Sequence, residues 1–311
     1  MRKRTTTALR ERLAEPGILV KPGAFNAMSG RIIEAAGFPI MGLSGYSVSA
    51  SLLGKPDVGL ITLDEMVTTT RYITAATSVP LLADGDTGYG NAINAMRTTQ
   101  EFIRAGAAGM HIEDQVAPKR CGHVAGKEII PIEEAVGKYA ACAHVRDEMD
   151  PDFLLIARTD ARGVEGGSVD EVIRRANAYV EAGDDMIFPE GLITEEEVAR
   201  VCREVNAPIH YNRTGVSPFL NNKRLEELGV AIVSNASGAL RAATRGMWDY
   251  MEGFAAEDVA YALRFLEETK DHPTGNMHEF VGFPEIRKLE ETYLPKEDVI
   301  ARYANSLGYK P

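Results

Sequence analysis

One phrase recurs along this chain and constrains what it can fold into. A helical stretch ends in a glycine, a short apolar run follows, and a polar residue closes the run. It occurs as Glu34-Ala35-Ala36-Gly37 before Ile40 to Ser44 and as Arg104-Ala105-Gly106 before Met110 to Glu113. It returns as Glu181-Ala182-Gly183 before Met186 to Glu190 and as Glu227-Leu228-Gly229 before Val230 to Ser234. Glycine just after a helix takes the left-handed position without steric cost, and an apolar run without alternation suits a strand buried on both faces. Three more runs share the strand character after a proline-bearing turn: Pro80 to Asp84, Pro151 to Arg158 and Pro208 to Asn212. With Ile18-Leu19-Val20 they make about eight strands.

Helical patterns separate them: Asn26–Ala36, Thr62–Thr77, Ala92–Ala105, Ile132–Glu148, Val169–Ala182, Glu195–Val205, Asn221–Leu228 and Ser237–Glu252. Eight strand–helix units predict a parallel sheet closed into a (βα)8 TIM barrel. An open doubly wound sheet would show fewer units and a Gly-rich phosphate turn after its first strand, which is missing here. We expect a single domain over 1–311, with the barrel over about 17–252 and a C-terminal helical extension over about 253–311. The extension carries helical patterns at Ala256–Thr269 and near Glu285–Thr292. Surplus helices at a chain end suit packing on another subunit, so a homo-oligomer is expected.

The 311 residues are 45% hydrophobic and 25% charged, ordinary for a globular chain with a sizeable core. The formal charge of -11 repels phosphate backbones, so no nucleic-acid partner is expected. Residues 1–15 are basic and polar without an apolar core, Glu11 and Glu15 count against a transit peptide, and no stretch is long enough to span a bilayer. The expectation is a cytoplasmic protein with no membrane partner. The 3 cysteines have no paired spacing for disulfides or zinc, and Cys142 and Cys202 sit in helical segments that suit core packing.

In a barrel of this kind the active site lies at the carboxyl ends of the strands. The residues predicted there are Ser44, Asp84 with Asp86, Glu113, Arg158 with Asp160, Glu190 and Asn212. Asp84, Asp86 and Glu113 would repel one another without a cation, and oxygen ligands of this kind point to Mg2+, with Mn2+ as a substitute. Asp57 is either an outer ligand through water or a turn residue. Arg158 suits bidentate binding of a carboxylate, or an ion pair with Asp160. His111 is expected to pack inside the barrel. Gly85, Gly88 and Gly90 have no accompanying Walker lysine, so no P-loop is predicted. Lys119-Arg120-Cys121-Gly122-His123 places a thiol among cations, which lower a thiol pKa towards neutrality and make it reactive.

From Pro22 to Pro295 the chain resembles the isocitrate lyase and phosphoenolpyruvate mutase superfamily. The resemblance rests on Ser44-Gly45-Tyr46 with Pro56-Asp57, Asp84-Gly85-Asp86-Thr87-Gly88, Ile112-Glu113-Asp114-Gln115, Lys119 to His123, Ala157-Arg158-Thr159-Asp160 and Pro189-Glu190. The block around Cys121 is similar to the lyase branch. The resemblance implies a helix-swapped tetramer, with Mg2+ at Asp84 and with Asp86 and Glu113 acting mainly through water. It further implies a 2-oxo or 2-hydroxy acid held by the Ser44-Gly45-Tyr46 amides and Arg158, with Gly122, Asn212, Thr214 and Ser217 beside it. His123 and Glu190 join Cys121 and Arg158 as candidate catalytic residues.

The implied reaction is a retro-aldol-like cleavage. A base takes the hydroxyl proton, the carbon–carbon bond opens, and Cys121 protonates the enolate carbon, beneath a mobile loop between Asp114 and Pro131. Isocitrate and methylisocitrate lyases tend to have a tyrosine where this chain has Gly42, so the resemblance assigns no base. The Ser44 to Ala50 run looks more like the lyases of substituted malates. Arg213, Thr214, Ser217, Ser234, Asn235 and Ser237 are the candidate distal pocket. The expected function is a Mg2+-dependent carbon–carbon lyase acting on 2-methylisocitrate or a dialkylmalate and releasing a 2-oxo acid such as pyruvate. An oxaloacetate acetylhydrolase is the near alternative, and a non-catalytic 2-oxo-acid-binding barrel is the alternative of another class.

Overall fold

Eight parallel strands pair in sequence order, and the last returns to the first to close a barrel. This is the architecture of a computed structural model that describes residues 3–213, 215–304 and 306–311. The chain runs α1 (Thr5–Ala14), β1 (Leu19–Ala24), α2 (Ala27–Ala35), β2 (Met41–Leu43), α3 (Gly45–Val48), α4 (Leu63–Ala76), β3 (Leu81–Asp84) and α5 (Ala92–Arg104). It continues through β4 (Gly109–Glu113), α6 (Ile132–Met149), β5 (Leu154–Thr159), α7 (Val169–Glu181), β6 (Met186–Pro189), α8 (Glu195–Glu204), β7 (Ile209–Asn212), α9 (Asn222–Glu227) and β8 (Val230–Asn235). The predicted barrel is therefore the observed one, with element ends within a few residues of those read from the pattern.

Closure sets which side chains point inward. Leu19 pairs with Ile232 and Lys21 with Ser234 where β1 meets β8, and Glu113 pairs with Arg158 between β4 and β5. Alternate residues of each strand share a face. The lower interior is apolar, filled by Ile40, Leu82, Leu154, Met186 and Ile232. The other strand face joins a larger core with the surrounding helices, including Ile73, Phe102, Tyr139 and Tyr179. The helices start where the sequence provides caps. Asn26, Thr62, Asn91, Ser168, Thr194 and Asn221 each accept a backbone amide of the first turn, satisfying a donor that would otherwise lack a partner.

The pattern does not reveal α1, whose apolar face is too narrow to show a helical period. Its Leu9 is fully buried and packs with the apolar floor of the barrel. Arg10 donates to the Asp152 and Phe153 carbonyls, and Thr6 to Asp150.

The chain divides into two compact units, Met1–Ala243 with the barrel and Thr244–Pro311. The helix α10 (Gly238–Glu257) runs from the first into the second, longer than the predicted Ser237–Glu252. It breaks at Asp258, whose φ is 52°, before α11 (Val259–Thr269). The second unit continues with α12 (Met277–Phe280), α13 (Phe283–Tyr293) and α14 (Lys296–Ala304). Its Met247, Trp248, Met251, Leu263 and Leu266 are exposed. Among the described residues no helix is long and apolar enough to cross a membrane.

Asp114, fully buried just past β4, fastens β5 and α7 to that strand end. It accepts from Thr159 Oγ1 (2.8 Å), the Asp160 amide (2.9 Å), Arg175 Nη1 (3.2 Å) and Tyr179 OH (2.7 Å). Asp114→Ala leaves the Arg175 guanidinium without this partner. We expect a loss of about 3–5 kcal/mol in urea unfolding, the usual cost of breaking a buried ion pair; a change within experimental error would mean that Arg175 and Tyr179 re-pair without it.

Candidate active site

At the carboxyl ends of the strands Ser44, Asp84, Arg158, Glu190 and Asn212, of the polar residues named from sequence, line a cavity of about 280 Å³. Asp84 closes β3 and is the best-fixed of them. Its Oδ2 accepts the Gly45 amide (2.9 Å), its Oδ1 accepts the Asp86 amide (3.0 Å), and His111 Nε2 lies 3.2 Å from Oδ1. Burial pushes the carboxyl up, but His111, Lys119 and Arg158 outweigh it and hold Asp84 well below the usual carboxylate range. His111, read from sequence as an interior packing residue, is inside the barrel and also touches Asp84. Its burial lowers the pKa of the ring against the pull of Asp84.

Asp86 follows in a tight turn at φ 52°, a left-handed conformation that few non-glycine residues adopt and that clusters at functional sites. Lys119 Nζ sits between Asp57 (2.8 Å) and Asp86 (3.7 Å). Burial raises Asp86 to about 6 despite Lys119, and raises Glu113 well above the usual range despite Arg158. Asp86 Oδ1 and Glu113 Oε1 accept no hydrogen bond. The cluster is therefore short of positive charge and has free oxygens, which fits a hard cation. Among the described residues no three His, Cys, Asp or Glu side chains converge to enclose an ion. Asp84 and Asp57 line the cavity, with Asp86 and Glu113 behind them.

Arg158, from β5, is wholly engaged by carboxylates. It meets Glu113 at 2.9 Å, Asp160 through both Nε (2.9 Å) and Nη2 (3.1 Å), and Glu190 at 3.8 Å. Of its two sequence readings, the ion pair with Asp160 forms, and the guanidinium still borders the cavity. Glu190 accepts from Asn212 Nδ2 (3.0 Å), and His123 lies with Nδ1 3.8 Å from Glu190 and Nε2 3.3 Å from Asn212.

The loop after β4 is tied down over this site. Cys121 N donates to the Asp57 carbonyl (3.1 Å), Gln115 exchanges two bonds with the Arg120 backbone (2.9 Å each), and Lys127 bridges the Gly122 carbonyl and Asp160. Gly122 is required by contact: a Cβ there would lie 2.5 Å from Arg158 Nη2 and 2.7 Å from Glu190 Cγ. These contacts correct the expected reactive thiol. Burial pushes the Cys121 thiol above its ordinary value, and a hydrogen bond from the His123 backbone with the charges of Arg158 and Lys119 does not offset it. Lys119 is spent on Asp57, and Arg120 faces solvent. At the cavity wall the thiol is therefore shifted above its ordinary value rather than below it.

Other expectations change with the geometry. The Gly45 amide is committed to Asp84 rather than to a bound acid, while Ser44 and Tyr46 border the cavity. Ser217 is buried outside the cavity lining, beside Tyr211. Asn235 and Arg213 do not line it either, whereas Ser234 and Ser237 do. Thr214 lies outside the described residues. Sequence reading overlooked Lys21, Phe188 and Arg241 of the lining, and His210 beside it. Lys21 obeys the same rule as the others, a polar residue closing an apolar strand run, and that signal identifies it.

Residues 9–255 match the family model described as phosphoenolpyruvate phosphomutase. The chain belongs to the phosphoenolpyruvate mutase and isocitrate lyase superfamily. Within it the chain is 40% identical to 2,3-dimethylmalate lyase of Eubacterium barkeri, covering 93% of this chain and 98% of that one. It is 38% identical to 2-methylisocitrate lyase of Aeropyrum pernix, over 98% and 96%. A crystal structure of 2,3-dimethylmalate lyase superposes with a TM-score of 0.88 at 30% identity, covering 99% of each chain. A phosphonopyruvate hydrolase in complex with oxalate and Mg2+ superposes at 0.82, also at 30% identity, over 94% of this chain and 100% of that one.

The upward shift of the thiol has a direct readout. Alkylation of Cys121 by iodoacetamide, followed by peptide mass spectrometry, is expected to be slow at neutral pH and still accelerating at about pH 9. A rate that levels off near pH 7 would restore the thiolate.

Proposed function

We propose that this superfamily member is a Mg2+-dependent carbon–carbon lyase that cleaves a 2-hydroxy dicarboxylate or tricarboxylate, of the dialkylmalate or 2-methylisocitrate kind, to a 2-oxo acid such as pyruvate and a second carboxylic acid. The observation that carries this reading is the small cavity that Cys121 and Asp84 both line, where burial holds the thiol above its ordinary value. Such a lyase must deliver one proton to carbon as the bond breaks, and a general acid has to hold that proton beforehand. A cavity of about 280 Å³ suits a small acid. Mg2+ held by Asp84, with Asp57, Asp86 and Glu113 through water, would supply Lewis-acid polarisation of the substrate oxygens.

The chain's own residues divide the rest of the work. Cys121 Sγ–H gives its proton to the carbon that leaves with the second acid. Glu190, Asn212 and His123 form a hydrogen-bonded group that orients the substrate's distal carboxylate side, with Ser44 and Tyr46 along its length. The Lys119–Asp57 and Lys127–Asp160 ties keep the loop closed and exclude water, so the carbanion-like intermediate is protonated by the thiol alone. The exposed apolar residues of the second unit support a homo-oligomer, which we read as a helix-swapped tetramer.

A panel of 2,3-dimethylmalate, 2-methylisocitrate, other alkylmalates, isocitrate and oxaloacetate, assayed with Mg2+, tests the reading. We expect 2-oxo acid release from an alkylmalate or from 2-methylisocitrate, abolished by EDTA. Acetate from oxaloacetate as the dominant product would make the protein a hydrolase instead. Cys121→Ser is expected to lower kcat by about 10²–10⁴-fold while pyruvate still binds, as measured by calorimetry; unchanged kinetics would remove the thiol from the mechanism.

A further inference from the structure

Lys21 is a buried amine that the reading above leaves unused. It lies on β1, is 5% exposed, and lines the cavity. Gly42 on the neighbouring strand makes room for it, since a Cβ there would stand 3.1–3.2 Å from its Cε, Cδ and Nζ. Among the described residues no hydrogen bond or ion pair holds Nζ. The charged and titratable groups that act on it or on which it acts are Asp84 on β3, His111 on β4 and His210 on β7, Arg158 on β5 borders the same cavity, and Ser234 is its register partner on β8. Burial pushes the ammonium down to about 8, against the attraction of Asp84.

Most of the other basic groups around the cavity face a cation or a polar neighbour, although Asp86 Oδ1, Glu113 Oε1 and the Nδ1 atoms of His111 and His210 accept no hydrogen bond. Asp57 and Asp86 face Lys119, Glu113 and Asp160 face Arg158, and Glu190 accepts from Asn212 and Gly191. His111 Nε2 is against Asp84, and His210 Nε2 is 2.6 Å from Ser234 Oγ. Lys21 and Cys121 also come from different walls, β1 and the loop after β4, so an amine and a thiol border the same space.

We propose that Lys21, as the free amine, is the general base that removes the proton from the substrate's 2-hydroxyl. The proposal rests on the lyase reading and supplies the base that reading lacks. The proton balance closes. The hydroxyl O–H breaks as Nζ takes the proton, the oxygen's electrons form the new C=O, and the carbon–carbon bonding pair passes to the departing carbon. Cys121 Sγ–H protonates that carbon. Lys21 then holds one proton more and Cys121 one fewer than at the start, and transfer through solvent after product release restores both. Because the amine must be unprotonated to act, kcat/KM should fall as pH drops through the Lys21 pKa.

Two substitutions separate basicity from charge. Lys21→Met should lower kcat at least 100-fold with KM within about threefold, and added methylamine or ethylamine should restore part of the rate. Lys21→Arg keeps the cation but cannot accept a proton, so it should be as slow as Lys21→Met. Recovery of turnover in Lys21→Arg would overturn the proposal in favour of a carboxylate-binding cation, and so would Lys21→Met with kcat within threefold of the parent. Thermal melting of both variants checks that they fold.

Labelling distinguishes failure of the proposal from failure of the lyase reading. Acetic anhydride labelling of Lys21 in the unmodified protein, followed by mass spectrometry against pH, should show a midpoint near 8, whichever acid is cleaved. A midpoint in the ordinary lysine range would overturn the base role even if lyase turnover is found. A midpoint near 8 with no turnover of any hydroxy acid would overturn the lyase reading, and with it the hydroxyl as the proton source.

Discussion

Arg158 lies inside the barrel with carboxylates from three directions: Glu113 from β4, Asp160 beyond its own strand, and Glu190 beyond β6. A buried guanidinium needs such compensating carboxylates, and Asp160 in turn is held below the usual carboxylate range by Arg158 and Lys127. The network extends through Asp160 to Lys127 and so to the Gly122 carbonyl. The residues that neutralise Arg158 thus also fix the loop that carries Cys121. Barrel mouth and cover form one electrostatic unit.

That unit explains why the thiol behaves opposite to its local sequence. Cations adjacent in the chain suggest a thiolate, yet in space Lys119 turns to Asp57 and Asp86, and Arg120 turns to solvent. With the nearby charge cancelled, desolvation decides, and it favours the neutral thiol. The same competition gives the opposite result at Asp84, where three positive or donating neighbours outweigh burial. A thiol held up by burial and a carboxylate held down by its neighbours border one cavity, and both follow from where compensating charge is spent.

Much of the fold was legible in the chain because barrel strands announce themselves twice, by an unbroken apolar run and by the glycine and cap residues on either side. The strand-end rule also named Ser44, Asp84, Glu113, Arg158, Glu190 and Asn212, which the closed barrel brings to one end. The floor helix α1 was not legible, since Leu9 alone is fully buried among its apolar residues and its role depends on a barrel already formed. Ser217 was misplaced because a loop residue's direction is set by what it packs on, here Tyr211, and spacing does not encode that.

By itself, the sequence determined the period of strands and helices, the residue types at the strand ends and the membership of this superfamily, because these depend on local pattern and on residues that keep their order. The tertiary structure decided protonation and access. Which cation is spent on which carboxylate, whether Cys121 keeps its proton, and whether Lys21 finds a clear space beside Gly42 are outcomes of distance and desolvation. Those quantities exist only once β8 has paired with β1 and the barrel has closed.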